Sequence, residues 1–204
     1  FPMVNLSCFG PGVEAAFLGA KLDNSHGAVW FYPPDNAPED IGELHFEYDP
    51  DNKWFCRIKD ICAAGMKRWQ GNVLVGMPDV GMGLDILASF RTTEQLLFDL
   101  MDSPNEVHRC MAELDALWMK YYTELDAVMQ PCSPGYSDWA GIYSDKPFYT
   151  LQSDFSYMIS TSMFDEFTKP YPGISELLKK LSAEGFQLAI ASNKIHQATV
   201  DLAK

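Results

Sequence analysis

The 204-residue sequence has no apolar run approaching the roughly 18 residues that crossing a bilayer takes. It has no charged-then-apolar leader, and it opens Phe1-Pro2-Met3, a start that reads as the interior of something longer. No C-x-x-C pair occurs. The five cysteines stand at 8, 56, 62, 110 and 132, an odd number at irregular spacing, so buried reduced thiols in a cytoplasmic chain are expected. Positive charge is scarce: 15 Lys+Arg face 28 Asp+Glu, for a formal net charge of −13. Nucleic acid and anionic membrane would be repelled over most of such a surface, and neither is expected as a partner. An anionic small molecule is not excluded, because a local basic pocket can sit in an acidic protein. Internal repeats, low-complexity tracts, a Gly-rich phosphate loop and a Ser/His/Asp set are also missing.

Core-forming material is plentiful. Hydrophobic residues make up 47 % and aromatics 13 %, and the length suits one domain or one domain with an appendage. Gly10-Pro11-Gly12 predicts a turn, followed by a helical stretch over 13–22. Residues 28–32 (AVWFY) predict a strand stopped by Pro33-Pro34. The acidic stretch 35–51 offers one short strand at 44–48. Over 53–69 the apolar positions recur at helical spacing. Residues 72–77 (NVLVGM) predict a buried strand delivering its end to the loop Pro78-Asp79. Helices are expected over 85–90 and 93–101. A further helix starts with Ser103 as N-cap and Pro104 at the first position, and runs to about Met129. Residues 136–143 and 148–152 are strand candidates, 153–159 a loop, and Ser160 or Thr161 caps a helix ending near Thr168. Strands alternating with helices predict an α/β class with a mostly parallel sheet or barrel.

Composition changes near residue 169. Residues 1–168 hold 10 Lys+Arg against 25 Asp+Glu and all five tryptophans, whereas 169–204 hold 5 against 3. The tail predicts a turn, a helix at 175–184, Gly185 as its stop, a buried strand at 186–191, the loop Ser192-Asn193-Lys194 and a last helix.

Gly10-Pro11-Gly12, Val29-Trp30-Phe31, GNVLVGMPDVGMGLDILASFR (71–91), SPNEVHRCMAELDALWMKYY (103–122) and LQSDFSYMISTSMFDEF (151–167) together resemble uroporphyrinogen-decarboxylase-like proteins. The resemblance covers most of residues 1–168. It implies a (β/α)8 TIM-type barrel, here partial, with the site at the strand C-termini. It also implies an enzyme of the carboxy-lyase and methyltransferase superfamily, acting on a small organic acid, tetrapyrrole or methyl donor. No cofactor is expected for this part, and the opening strand and the last third of the barrel are expected to be absent. The tail KPYPGISELLKKLSAEGFQLAIASNKIHQATVDLAK (169–204) resembles phosphoglycolate-phosphatase-type haloacid-dehalogenase hydrolases. It implies one Rossmann-like helix–strand–helix unit in which Ser192 meets the transferring phosphate, with Asn193 and Lys194 beside it. Magnesium would be needed only under that phosphatase reading.

Under the barrel reading the strand-end loops supply Asp79, Asp85, Asp138, Asp154 and Tyr157 as candidate catalytic residues. Trp139, Tyr143 and Phe155 are candidate substrate walls. A carboxylate beside aromatic walls can hold a raised pKa and donate a proton. Asp after a strand is equally an ordinary turn and cap residue. The arginine motif of true porphyrinogen decarboxylases is absent, Leu84 stands where they carry a substrate-facing tyrosine, and Asp154 where they carry a serine. Decarboxylation of uroporphyrinogen is therefore disfavoured.

His108-Arg109-Cys110 cannot grip one metal from a helix, because residues two apart diverge by about 200°. Cys110 is expected in the core and His108 on the surface. His26 and His45 are expected in loops or on the surface, and no metal ligand is assigned. The single Asp-x-Asp, Asp49-Pro50-Asp51, follows an alternating stretch and precedes Lys53 where the phosphatase pattern wants Thr, so it reads as an acidic turn. Three functions follow: a barrel-type enzyme or fragment with an incomplete catalytic set, a haloacid-dehalogenase-type phosphatase fragment, or a non-catalytic α/β binding protein. A small molecule is the expected partner, with self-association left open.

Overall fold

The computed structural model describes residues 2–168. The chain divides into two compact units, Phe1–Thr168 and Lys169–Lys204, and the first carries everything that follows. The expected tail helices and strand, with Ser192, Asn193 and Lys194, lie outside the described residues.

The first unit is mixed helix and strand, mostly helical with small sheets. Strand β1 (Met3–Val4) pairs in parallel with β4 (Leu74–Val75), Met3 opposite Leu74 and Val4 opposite Val75. Met77 N donates to Ser137 O at 2.8 Å, which lays a third extended segment beside β4. Strands β2 (Lys21–Asp23) and β3 (Trp30–Tyr32) form an antiparallel hairpin, with Leu22 opposite Phe31. Six α-helices stand among the described residues: α1 (Glu14–Phe17), α2 (Lys53–Trp69), α3 (Gly83–Arg91), α4 (Thr93–Asp102), α5 (Pro104–Met129) and α6 (Thr161–Phe167).

Helix α2 fills the range its periodicity predicts. Phe55, Ile58, Cys62 and Met66 recur on one side and are buried. Asn52 caps its start, accepting from Trp54 N (2.9 Å) and Phe55 N (3.2 Å). Gly65 faces β4, where an added Cβ would lie 3.0 Å from Val75 Cγ2, so glycine lets the helix sit close on the strand. Helix α5 also runs as expected, with Pro104 in its first turn, but the Ser103 side chain makes no capping bond. Its buried stripe, Val107, Cys110, Leu114, Trp118, Tyr121, Leu125 and Met129, follows three- and four-residue steps. Each large apolar side chain so buried contributes about 1.5–3 kcal/mol. Around Tyr121 pack Phe17 and Phe55, with ring centroids 5.0 and 4.8 Å away. Ser160 caps α6, accepting from Met163 N.

Several expectations are corrected. The helix expected over 13–22 stops at Phe17, where Gly19 (φ +97°) turns the chain into β2. Residues 44–48 form no strand. Leu44 and Phe46 are buried all the same, and Phe46 N is satisfied by Glu113 Oε2 at 3.0 Å. Over 136–152 the two strand candidates reduce to one antiparallel bridge, Tyr136 with Ser144. A 3-10 turn at Phe155–Met158 lies within the expected loop. No TIM-type barrel is formed among the described residues. In the two lost strand regions, Glu113 and Asp138 side chains serve the Phe46 and Thr150 amides that a strand partner would otherwise pair. All five cysteines are free; Cys62 and Cys110 are buried, while Cys8 and Cys132 are exposed. No described helix is long and apolar enough to cross a membrane.

Candidate functional site

The loops after β1 and β4 meet. Val13 N donates to Asp79 O (2.9 Å) and Glu14 N to Val80 O (3.1 Å), joining the start of α1 to the segment before α3. Gly81 makes the approach possible. Its φ is +75°, and an added Cβ would fall 2.6 Å from Gly12 Cα.

A third segment, 149–155, crosses this junction and is tied to it by side chains. The Tyr149 hydroxyl accepts from Val80 N (2.8 Å) and Gly81 N (3.2 Å) and lies 3.3 Å from Asp79 Oδ1. Gln152 Nε2 donates to Asp79 Oδ2 at 3.1 Å. In the first turn of α3, Asp85 accepts from Asp154 N (2.9 Å) and Phe155 N (2.7 Å). Burial lifts the Asp79 carboxyl above its ordinary value, against the bonds from the Gly12 and Gly81 backbone, Tyr149 and Gln152. Asp85 is lifted by burial too, opposed by its two backbone donors and pushed further by the nearby charges of Asp154 and Asp79. Burial and the Asp79 charge together raise Tyr149 far above an ordinary phenol.

Beside this junction opens a cavity of about 230 Å³. Its walls come from β3 (Trp30, Phe31), from α3 (Asp85, Ser89) and from the 3-10 turn (Phe155, Met158), with Gln152 and Asp154 at the side. The predicted residues thus separate. Asp85, Asp154 and Phe155 share the cavity, and Asp79 stands behind it as the anchor of Tyr149 and Gln152. Tyr157 lies on the same 3-10 turn, 71 % exposed.

Asp138, Trp139 and Tyr143 belong to a second group. Asp138 is fully buried and accepts from Thr150 N (2.6 Å) and Ala140 N (3.0 Å). Trp139 Nε1 donates to Thr150 O (3.1 Å), and the Tyr143 hydroxyl to Pro134 O (3.2 Å). These side chains brace the 136–150 excursion internally, while Asn5 Nδ2 ties it to the start of the chain by donating to Trp139 O at 2.9 Å.

Sequence reasoning missed Tyr149 and Gln152, whose role depends on a long-range approach that no local pattern marks. It also missed Glu14. That side chain is wholly buried, and neither carboxyl oxygen has a hydrogen-bond partner among the described residues. Burial, reinforced by the charge of Asp115, holds its carboxyl well above its ordinary value.

The other singled-out residues fall as expected. Cys110 is buried, and His108 is exposed and paired with Glu166 at 3.2 Å. His45 is exposed and bonded to Glu113. Asp49 closes a turn by accepting from Asp51 N at 3.0 Å. No group of three or more His, Cys, Asp or Glu side chains among the described residues could hold a metal ion.

Residues 124–203 match the family model of the haloacid dehalogenase-like hydrolases. The matched stretch takes in the last turns of α5, the 130–160 excursion, α6 and the tail. No curated protein and no solved structure matches the chain. The resemblance of residues 1–168 to uroporphyrinogen-decarboxylase-like proteins gains no support from these comparisons; the haloacid-dehalogenase match takes in the expected tail and begins before it, at residue 124.

Proposed function

We propose that this chain carries the phosphate-binding part of a haloacid-dehalogenase-type hydrolase, in which Ser192, with Asn193 and Lys194 beside it, holds the phosphoryl group of a small molecule. The observation that carries this reading is the family match over 124–203. It contains the Ser-Asn-Lys loop on whose resemblance the assignment of Ser192 rests. The chain's Asp-x-Asp does not supply the nucleophile such a hydrolase needs. Asp49 and Asp51 close a turn ahead of α2, and no strand delivers them. The chain therefore binds a phosphate without breaking its ester bond, in a cytoplasmic setting where its thiols stay reduced.

The test uses the 204-residue chain. Inorganic phosphate binding followed by calorimetry, together with turnover of p-nitrophenyl phosphate in magnesium, separates the outcomes. Binding that Ser192→Ala abolishes, without turnover, is the expected result. Turnover lost in the same variant would mean a complete hydrolase, and absence of both binding and turnover sinks the reading.

A second reading concerns the first unit. The parallel pairing of β1 with β4, and the meeting of the loops that follow them beside a cavity, favour a small-molecule site of the kind the barrel resemblance implies. Asp79 behind that site and Asp85 in its wall are both engaged by hydrogen-bond donors, which favours ligand holding over proton transfer. Binding without chemistry is the form of this reading we adopt.

A further inference from the structure

We propose that the cavity between β3, α3 and the turn at Phe155–Met158 binds a small organic cation with an apolar body, an alkyl- or arylammonium compound, between the Trp30 ring and the Asp154 and Asp85 carboxylates. The proposal is independent of the hydrolase reading and concerns different residues.

Charge comes first. Two carboxylates line the cavity, and no Lys, Arg or His is among its lining residues. A small organic acid, one of the substrate classes the barrel resemblance implies, would meet no compensating positive charge there. Asp85 spends both oxygens on the backbone N–H groups of Asp154 and Phe155. That fixes the backbone from which Asp154, exposed at the rim, projects its own charge.

The apolar walls supply the second half. Trp30 is 55 % and Met158 45 % exposed, large apolar surface left open to solvent beside the carboxylates. Trp30 is firmly placed. Its hairpin partner is Asp23, and its neighbour Val29 presses on Gly10, where an added Cβ would lie 2.6 Å from Val29 Cβ. A cation over an indole face gains from the ring quadrupole, and a carboxylate alongside adds charge attraction of the same sign. The volume lies below the roughly 300–1,000 Å³ of drug-sized pockets, so the ligand is small.

The experiment is calorimetric titration of the 204-residue chain, at low salt, with benzyltrimethylammonium and with phenylacetate. The cation is expected to bind and the anion not. Asp154→Asn and Trp30→Ala are each expected to weaken the cation about fivefold. Asp102→Asn, on α4 outside the cavity, should leave it unchanged and thereby exclude attraction by net charge alone. Far-UV circular dichroism of each variant confirms the fold before titration. Phenylacetate binding as tightly as the cation would overturn the proposal, as would cation affinity indifferent to both cavity variants. So would a folded chain that binds no cation. None of these results bears on phosphate binding at Ser192, so the two readings fail separately.

Discussion

Arg91 and Asp99 form a two-pronged ion pair inside the protein. Nε lies 2.6 Å from Oδ2 and Nη2 3.0 Å from Oδ1, with side chains only 4 % and 7 % exposed. Arg91 Nη1 also donates to Pro38 O at 2.8 Å, and Gln95 Nε2 reaches Asp99 Oδ1 at 3.3 Å. One guanidinium thus ties the end of α3 to α4 and to the turn after β3. Removing one partner strands the other charge without water. Asp99→Ala should cost about 3–5 kcal/mol, read from the midpoint of urea unfolding. Replacing both, Arg91→Met with Asp99→Leu, should recover most of that loss; a double variant no better than the single would show that the pair's geometry, not its charge, matters.

The start of α2 depends on Asn52. Its Oδ1 takes the N–H groups of Trp54 and Phe55, while its Nδ2 donates to Ala16 O at 3.1 Å, so one side chain caps α2 and holds α1 against it. Asn52→Ala should destabilise by about 1–2 kcal/mol, whereas Asn52→Asp, which keeps the cap but not the donor to Ala16, should lose less. Equal losses in the two variants would assign the effect to α1 docking instead of capping.

Glu14 gives stability a pH slope of definite sign. Its carboxyl is held well above the ordinary value of 4.5 by burial first and by Asp115 second. Below 4.5 both folded and unfolded chains keep the proton, and the folded state bears no penalty. As pH rises further, the unfolded chain releases the proton while the folded chain retains it. Stability from this group therefore falls with pH and is lost through the folded pKa. Asp79, Asp85 and Asp115, also raised chiefly by burial, add slope of the same sign. Glu14→Met removes the largest contributor. Its stability relative to the native chain should climb as pH rises above 4.5 in urea titrations, and parallel profiles would refute the assignment.

Helices were legible where burial follows one face of a continuous run. In α2 and α5 the apolar positions repeat at three and four residues for four turns or more, and Asn52 and Pro104 stand at their starts. Between 13 and 22 the same spacing misleads, because a glycine in the left-handed region ends the helix after one turn. Over 44–48 the apolar Leu44 and Phe46 do go inside, but Glu113 meets the backbone where a strand partner was expected; over 136–152 Ile142, Tyr143 and Leu151 stay exposed, and Asp138 meets Thr150 N instead. That substitution is a long-range event that sequence periodicity does not carry. The candidate site divides along the same line. Asp85, Asp154 and Phe155 were named from their position after a strand and in a loop, and they do come together. Tyr149 and Gln152 act across about 70 residues, and Glu14 looked like any acidic residue opening a helix.

Helix α5, 26 residues and so about 39 Å long, runs through both hydrophobic clusters of the first unit. Val107, Cys110 and Leu114 belong to one, with Leu84, Leu87 and Phe90; Trp118, Tyr121, Leu125 and Met129 belong to the other, with Phe17 and Phe55. Neither cluster can come apart without taking a length of the same helix with it. The middle turns of α5, around Leu114 to Tyr121, are where the halves share amides. Those amides should exchange with solvent deuterium only when the whole first unit opens, with the two halves melting as one cooperative block.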